Sequence, residues 1–211
     1  MQLVGQYDSP YVRRVAISLH LLGLPFTRNA ISVFSDAEEM GRINPLVRVP
    51  SLVLDDGEVL IDSGAILDHI DETVGAGRAL LPQHGTERRR ALRIIALASG
   101  AIDKAGAIVY ERVLRPADKV YEPWVDRCRA QLTGALRALD ALPLSPWLLG
   151  ESIMQPDITV AAMAGYLRLR LPEGLPTGLY PNVERLSAAC EALPAFKATV
   201  PAPDETMPSD I

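Results

Sequence analysis

The sequence predicts an α+β chain in two parts, a mixed-sheet region followed by an all-helical one. Three observations predict it. Short apolar runs and helical-period runs alternate as β-α-β-α-β-β-α over the first third of the chain. Two clusters, Gly75-Ala76-Gly77 and Pro82-Gln83-His84-Gly85, then interrupt the pattern. Beyond them strand signals cease and long helical periodicities remain.

Leu3 to Tyr7 is the first strand candidate. Ser9-Pro10 follows, with serine at a helix N-cap and proline at the first helical position. Val12, Val15, Ala16, Leu19 and Leu22 recur at helical spacing, and Gly23 and Pro25 end that helix. Phe26 to Val33 reads as a second strand. Ser35 to Gly41 reads as a short helix, its early acids Asp36, Glu38 and Glu39 suiting a helix N-terminus. Val49 to Leu54, the turn Asp55-Asp56-Gly57 and Glu58 to Ile61 form a hairpin. Asp62-Ser63 then opens a helix marked by Ala65, Ile66, His69 and Ile70.

The division places one domain at residues 1–76, a linker at 77–86 and helices over 87–211. Helices are expected over Glu87–Leu114, with a bend near Gly100 or Gly106, and over Asp118–Leu142, Pro156–Leu171 and Asn182–Leu193. The tail from Pro201 to Ile211 is rich in proline and acid and is expected to be loose.

At 211 residues, 48% apolar and 22% charged, the chain is long enough to bury a core without disulfides. A net charge of −5 gives no basic face for nucleic acid or an anionic membrane. Cys128 and Cys190 stand far apart, which argues against a disulfide framework or zinc site and fits a reducing cytosol. The first residues lack the features of a signal peptide, and no charge-free apolar run is long enough to span a membrane.

Three places could carry chemistry. Ser9 lies where a strand turns into a helix. The unpaired N–H groups and dipole of that helix end favour an anion, and a hydroxyl can donate to a thiolate there. Ser9 could equally be only an N-cap. Val49-Pro50 opens a strand; a cis bond would leave the Val49 backbone to pair with an extended peptide, whereas an ordinary trans proline would simply start the strand. Asp62 and Ser63 could hold an α-amine and an α-carboxylate, or be a capping pair. Arg48 could meet a second carboxylate or stay solvated. Together these positions suit a peptide-like thiol with an α-amino acid at one end.

Tyr7-Asp8-Ser9-Pro10-Tyr11-Val12-Arg13-Arg14-Val15, with Leu22-Gly23-Leu24-Pro25-Phe26, resembles the start of cytosolic glutathione S-transferases, most closely bacterial members and the tau class. Asn44-Pro45, Val49-Pro50-Ser51-Leu52, Asp62-Ser63-Gly64-Ala65-Ile66 and Gly150 with Pro156-Asp157-Ile158 are similar to further motifs of that family, in the same order. The resemblance implies a thioredoxin-like glutathione-binding domain and an all-α domain, with glutathione as co-substrate and no metal. It implies that Ser9 hydrogen-bonds the thiolate, that Val49 pairs with the cysteinyl unit beside cis-Pro50, that Asp62 and Ser63 bind the γ-glutamyl group, and that Arg48 lies near the glycine carboxylate. It also implies a cytoplasmic homodimer, with Asp103 near the partner's glutathione. Tyr7 is the alternative thiolate donor.

Tyr11, Val109, Tyr110 and Val113 are the residues expected to receive a hydrophobic electrophile, with plain helix core as the alternative. Arg13-Arg14 and Arg88-Arg89-Arg90 are expected on exposed helix faces. Met154 stands where the family carries a Ser or Thr cap, a loss of about 1 kcal/mol unless Ser152 compensates. Serine rather than cysteine at position 9 argues against mixed-disulfide chemistry. The expected activity is addition of the glutathione thiolate to an electrophile or reduction of a hydroperoxide. A non-enzymatic interaction protein of the same fold and a glutathione-dependent isomerase are the alternatives. The isomerase class carries a Ser-Ser-Cys motif that Asp8-Ser9-Pro10 does not match.

Overall fold

The computed structural model describes residues 1–203 and 205. Contacts divide the chain into two compact units, one of Met1–Gln83 joined by the segment from Ala192 on, the other of His84–Glu191.

The first unit is built on four short strands: β1 (Gln2–Val4), β2 (Thr27–Asn29), β3 (Ser51–Val53) and β4 (Val59–Ile61). They lie in the order β2-β1-β3-β4. β1 runs parallel to β2, with Leu3 opposite Arg28, and antiparallel to β3, with Leu3 opposite Leu52. β3 and β4 form the antiparallel hairpin. Strand pleating sends successive side chains to opposite faces. Val4 accordingly joins Ile31 and Met40 in a core cluster beneath α2 (Ala37–Ile43). Fully buried Leu3 and Leu52 belong to the other face, which carries α1 (Pro10–Leu22) and α3 (Ser63–Val74).

Helix α1 starts and stops as its sequence directs. Ser9 is its N-cap, Pro10 takes the first helical position, and Gly23 closes it at φ 65°, a left-handed conformation that a Cβ would oppose. Between Phe26 and Val33 only Thr27–Asn29 is strand, since the segment pairs with β1 alone and on one edge. Gly41 lies inside α2 rather than at its end, which falls at Ile43 with Asn44 as C-cap.

The second unit is helical: α4 (Gly85–Val113), α5 (Glu122–Asp140), α6 (Gln155–Arg170) and α7 (Pro181–Glu191). α4 is one continuous helix of 29 residues, assigned without interruption through Gly100 and Gly106. α6 is buried along most of its length, with Ile158, Val160, Ala161, Ala162, Met163, Ala164 and Leu167 all in the core. Its start is fastened by Asp157, whose Oδ2 accepts the Met154 N–H at 2.9 Å and whose Oδ1 accepts the Leu148 N–H at 2.9 Å. Asp157, rather than Ser152, therefore supplies the side-chain acceptor at this helix start. Burial raises the Asp157 carboxyl above the ordinary carboxylate range, while its backbone donors, Leu148 and Met154 among them, pull it down.

The last helix, α8 (Pro194–Lys197), belongs with the first unit and packs on α1. Phe196 is fully buried there. This departs from the expected division, which assigned everything after residue 87 to the helical domain. The physical reason is Arg13. Its Nε donates to the Thr199 carbonyl at 3.0 Å and its Nη2 to the Phe196 carbonyl at 3.4 Å, satisfying the open end of α8. Within the tail expected to be loose, Glu205 is buried at 6% exposure. Residues 204 and 206–211 lie outside the described residues.

Candidate active site

The turn between β1 and α1 carries Ser9. Its hydroxyl oxygen receives the Val12 N–H at 3.5 Å, at the outer limit of a hydrogen bond. Ser9 is thus an N-cap by backbone conformation whose side chain is only loosely committed. A half-buried hydroxyl at the positive end of a 13-residue helix remains able to donate to an anion.

The segment before β3 comes to the same end of the sheet. Val49-Pro50 is cis, as one of the two sequence readings has it. Gly5, at φ 130°, is where the two segments meet: a Cβ there would stand 2.6 Å from Val12 Cγ2 and 2.9 Å from Val49 Cβ. Only glycine permits that approach. Pro50 is buried, Val49 half-buried and Arg48 exposed. Asn44 anchors the loop, its Nδ2 donating to the Arg48 carbonyl at 2.8 Å.

Asp62 and Ser63 open α3. Asp62 adopts φ 71°, a strained value for a residue with a Cβ, and its Oδ1 accepts the Gly64 N–H at 2.7 Å. Capping uses one carboxylate oxygen, and the side chain stays exposed. Ser63 is buried beneath Arg14, whose Nη2 donates to Ser63 Oγ at 2.6 Å and whose Nε donates at 3.1 Å. Two N–H donors fill the oxygen's lone pairs, so the Ser63 proton is left as a donor to a third group. Both α1 arginines are buried, Arg13 at 6% and Arg14 at 4%, against the expectation of an exposed face. Each is drawn inward by oxygen acceptors: backbone carbonyls for Arg13, the Ser63 hydroxyl for Arg14.

Tyr7 is buried under a guanidinium, with Arg28 Cζ 3.5 Å from its ring centroid. Burial is the main cause raising its phenol above the ordinary value; the Arg28 charge opposes this and Glu205 adds to it. Tyr11 is half-buried, with Arg14 Cζ 5.4 Å from its ring centroid. On the helical unit, Tyr110 and Val113 are exposed on α4, whereas Val109 is 5% exposed and belongs to the core. Val109 shares the buried stripe of α4 with Ala105 and Ile102, four and seven residues before it. Among the described residues no group of three or more His, Cys, Asp or Glu is placed to hold a metal ion, and no helix is long and apolar enough to cross a membrane.

Comparison with known proteins places the chain in a family. The family model of the glutathione S-transferase N-terminal domain matches residues 3–78, and that of the C-terminal domain matches residues 122–189. The GST-like protein YibF of Escherichia coli is 32% identical over 170 residues, 81% of this chain and 83% of YibF. The chain belongs to the glutathione S-transferase family.

Solved transferases share the architecture over nearly their whole length. A glutathione S-transferase of Methylobacterium radiotolerans in complex with glutathione sulfonate matches with a TM-score of 0.89 at 31% identity, covering 95% of this chain and 94% of that one. One from Methylobacillus flagellatus with glutathione bound gives 0.87 at 32%, covering 95% and 99%. Maleylacetoacetate isomerase of Pseudomonas aeruginosa is 26% identical, over 99% of this chain and 100% of the isomerase. Within this transferase fold, four residues beside the expected site were not singled out by the sequence. Gly5 and Arg28 lack a motif, Arg14 lies in the family-like run but was expected on an exposed face, and Glu205 sits in an acidic tail far along the chain.

Proposed function

We propose that this transferase binds glutathione on its first unit, stabilises the thiolate at Ser9 and adds the sulfur to a hydrophobic electrophile. The observation that carries the reading is the state of the Ser9 side chain. It stands at the α1 N-terminus with its hydroxyl accepting one long 3.5 Å bond and its proton uncommitted. A donor there lowers the pKa of a bound thiol and raises the nucleophile's population near neutral pH. Tyr7 is the weaker choice, since its ring lies buried under Arg28.

In this reading the cysteinyl backbone pairs with Val49 beside Pro50, and no backbone group of Val49 has a partner among the described residues. Asp62 takes the α-amine with its exposed carboxylate, and Ser63 donates to the α-carboxylate with Arg14 behind it. Arg48, exposed, takes the glycine carboxylate. Tyr11, half-buried, Tyr110 and Val113, both exposed, and the buried Val109 are the side chains assigned to a hydrophobic electrophile. The neighbours that bind glutathione or its sulfonate support the ligand. The protein acts as a cytoplasmic homodimer without a metal, with exposed Asp103 facing the partner's glutathione.

The test is glutathione-affinity chromatography followed by turnover with aryl halides, hydroperoxides and isothiocyanates. Retention on the column and turnover of at least one class are expected. Ser9→Ala should lower kcat about 10- to 100-fold, the worth of a hydrogen bond to a charged group. A wild-type rate in Ser9→Ala would refute the assignment, and failure to bind glutathione would favour the interaction protein.

A further inference from the structure

In the segment beyond α8, Glu205 reaches the β1–α1 turn. Glu205 Oε2 accepts the Tyr7 N–H at 2.6 Å. Glu205 Oε1 lies 2.5 Å from Arg28 Nη2, an ion-pair contact outside hydrogen-bond geometry. Arg28 itself spans the turn: its Nε donates to the Gly5 carbonyl at 3.4 Å and its guanidinium covers the Tyr7 ring. Glu205 and Tyr7 are both 6% exposed. One carboxylate far along the chain therefore fixes a backbone amide two residues before Ser9, and Arg13 fixes the same segment upstream through Thr199 and Phe196.

We propose that this segment is a working part of the transferase site, with Glu205 a positioning residue that holds the turn presenting Ser9. The proposal rests on the assignment of Ser9 as thiolate donor. A buried carboxylate needs both a charge partner and hydrogen-bond donors, and here Arg28 and the Tyr7 amide supply them. The amide at Tyr7 has no ladder partner after β1 ends, so Glu205 replaces a strand's restraint where the chain must turn. Fixing the amide fixes the direction from which the Ser9 hydroxyl meets sulfur. The ligand's amino-acid end is held elsewhere, at Asp62 and Ser63, so loss of Glu205 should misplace the reacting sulfur relative to Ser9 without loosening glutathione.

The experiment compares wild type, Glu205→Ala, Glu205→Gln, Ser9→Ala and Ser9→Ala/Glu205→Ala in kcat and in KM for glutathione, with melting temperature measured for each. Both Glu205 variants remove the same charge. Only glutamine keeps an oxygen to accept the Tyr7 N–H, so the difference between them reads that bond. Glu205→Ala should lose about tenfold in kcat, within the ~100-fold that a 1 Å misplacement can cost. Its KM for glutathione should stay within about twofold, and Glu205→Gln should recover most of the rate. The effect should vanish on the Ser9→Ala background. A wild-type kcat in Glu205→Ala, equal loss in both Glu205 variants, or loss of the same size without Ser9 would overturn the proposal. A wild-type rate in Ser9→Ala, or a wild type inert to every electrophile, would instead remove the Ser9 assignment beneath it.

Discussion

With both lone pairs of Ser63 Oγ taken by Arg14, a buried positive charge stands directly behind the hydroxyl that is proposed to meet a carboxylate. Arg14→Ala should therefore weaken glutathione binding by about tenfold, as Ser63→Ala should, and the double variant should be little worse than either. Isothermal titration checks this; additive losses would mean that the two act separately. Asp157 offers a second test at this scale. Asp157→Asn leaves one of two N–H groups facing an amide nitrogen and should cost about 1–3 kcal/mol in denaturant unfolding. Its raised carboxyl also fixes a sign. The folded state holds the proton to higher pH than the unfolded state, so this contribution to stability is present at low pH. It fades as pH rises from the ordinary carboxylate range through the raised folded value. The asparagine variant should lack that slope. Cys190 is fully buried with its thiol pushed up by burial, and Cys128 is fully buried as well. Neither should react with a thiol reagent until the protein unfolds. Ser9, Asp62 and Ser63 were legible as residues because each stands at a helix start that sequence rules recognise. The partners that direct them were not, because Arg14, Arg28 and Glu205 meet them through tertiary contacts.

At the scale of elements, the site depends on how closely β1, α1 and the loop before β3 approach. Gly5 sets that distance. Gly5→Ala should destabilise the protein by about 3 kcal/mol or more, since the new methyl meets Val12 and Val49 below contact distance at a φ of 130°. A thermal melt near that of wild type would show that the two segments can separate. Element order and type were readable because each rests on local signals: the Ser9-Pro10 start, the Gly23 stop, the Asp56-Gly57 turn. Extents were less so. The second strand shrank to three residues, since strand length is set by the partner and β2 pairs only with β1. Helix α8, four residues long, carries too little periodicity to be seen in advance.

For the whole molecule, the decisive feature is that α8 and the described residues after it complete the first unit. Phe196→Ala should cost about 3–5 kcal/mol, and hydrogen exchange should quicken in α1 more than in α5 or α6. Equal protection in α1 of both proteins would place Phe196 with the helical unit. This division was hidden from the sequence because composition and periodicity do not change between α7 and α8, while the contact that decides it comes from Arg13.

His84–Glu191 is therefore, in topological terms, an insert within the first unit. On the ribosome the strands would emerge first yet wait for their closing piece. At about 5–20 residues per second, on the order of ten seconds would pass between Gln83 and Ala192. The nascent sheet half would spend that interval with its Phe196 seat open, a natural moment for chaperone contact, while the later-made helices could already have folded.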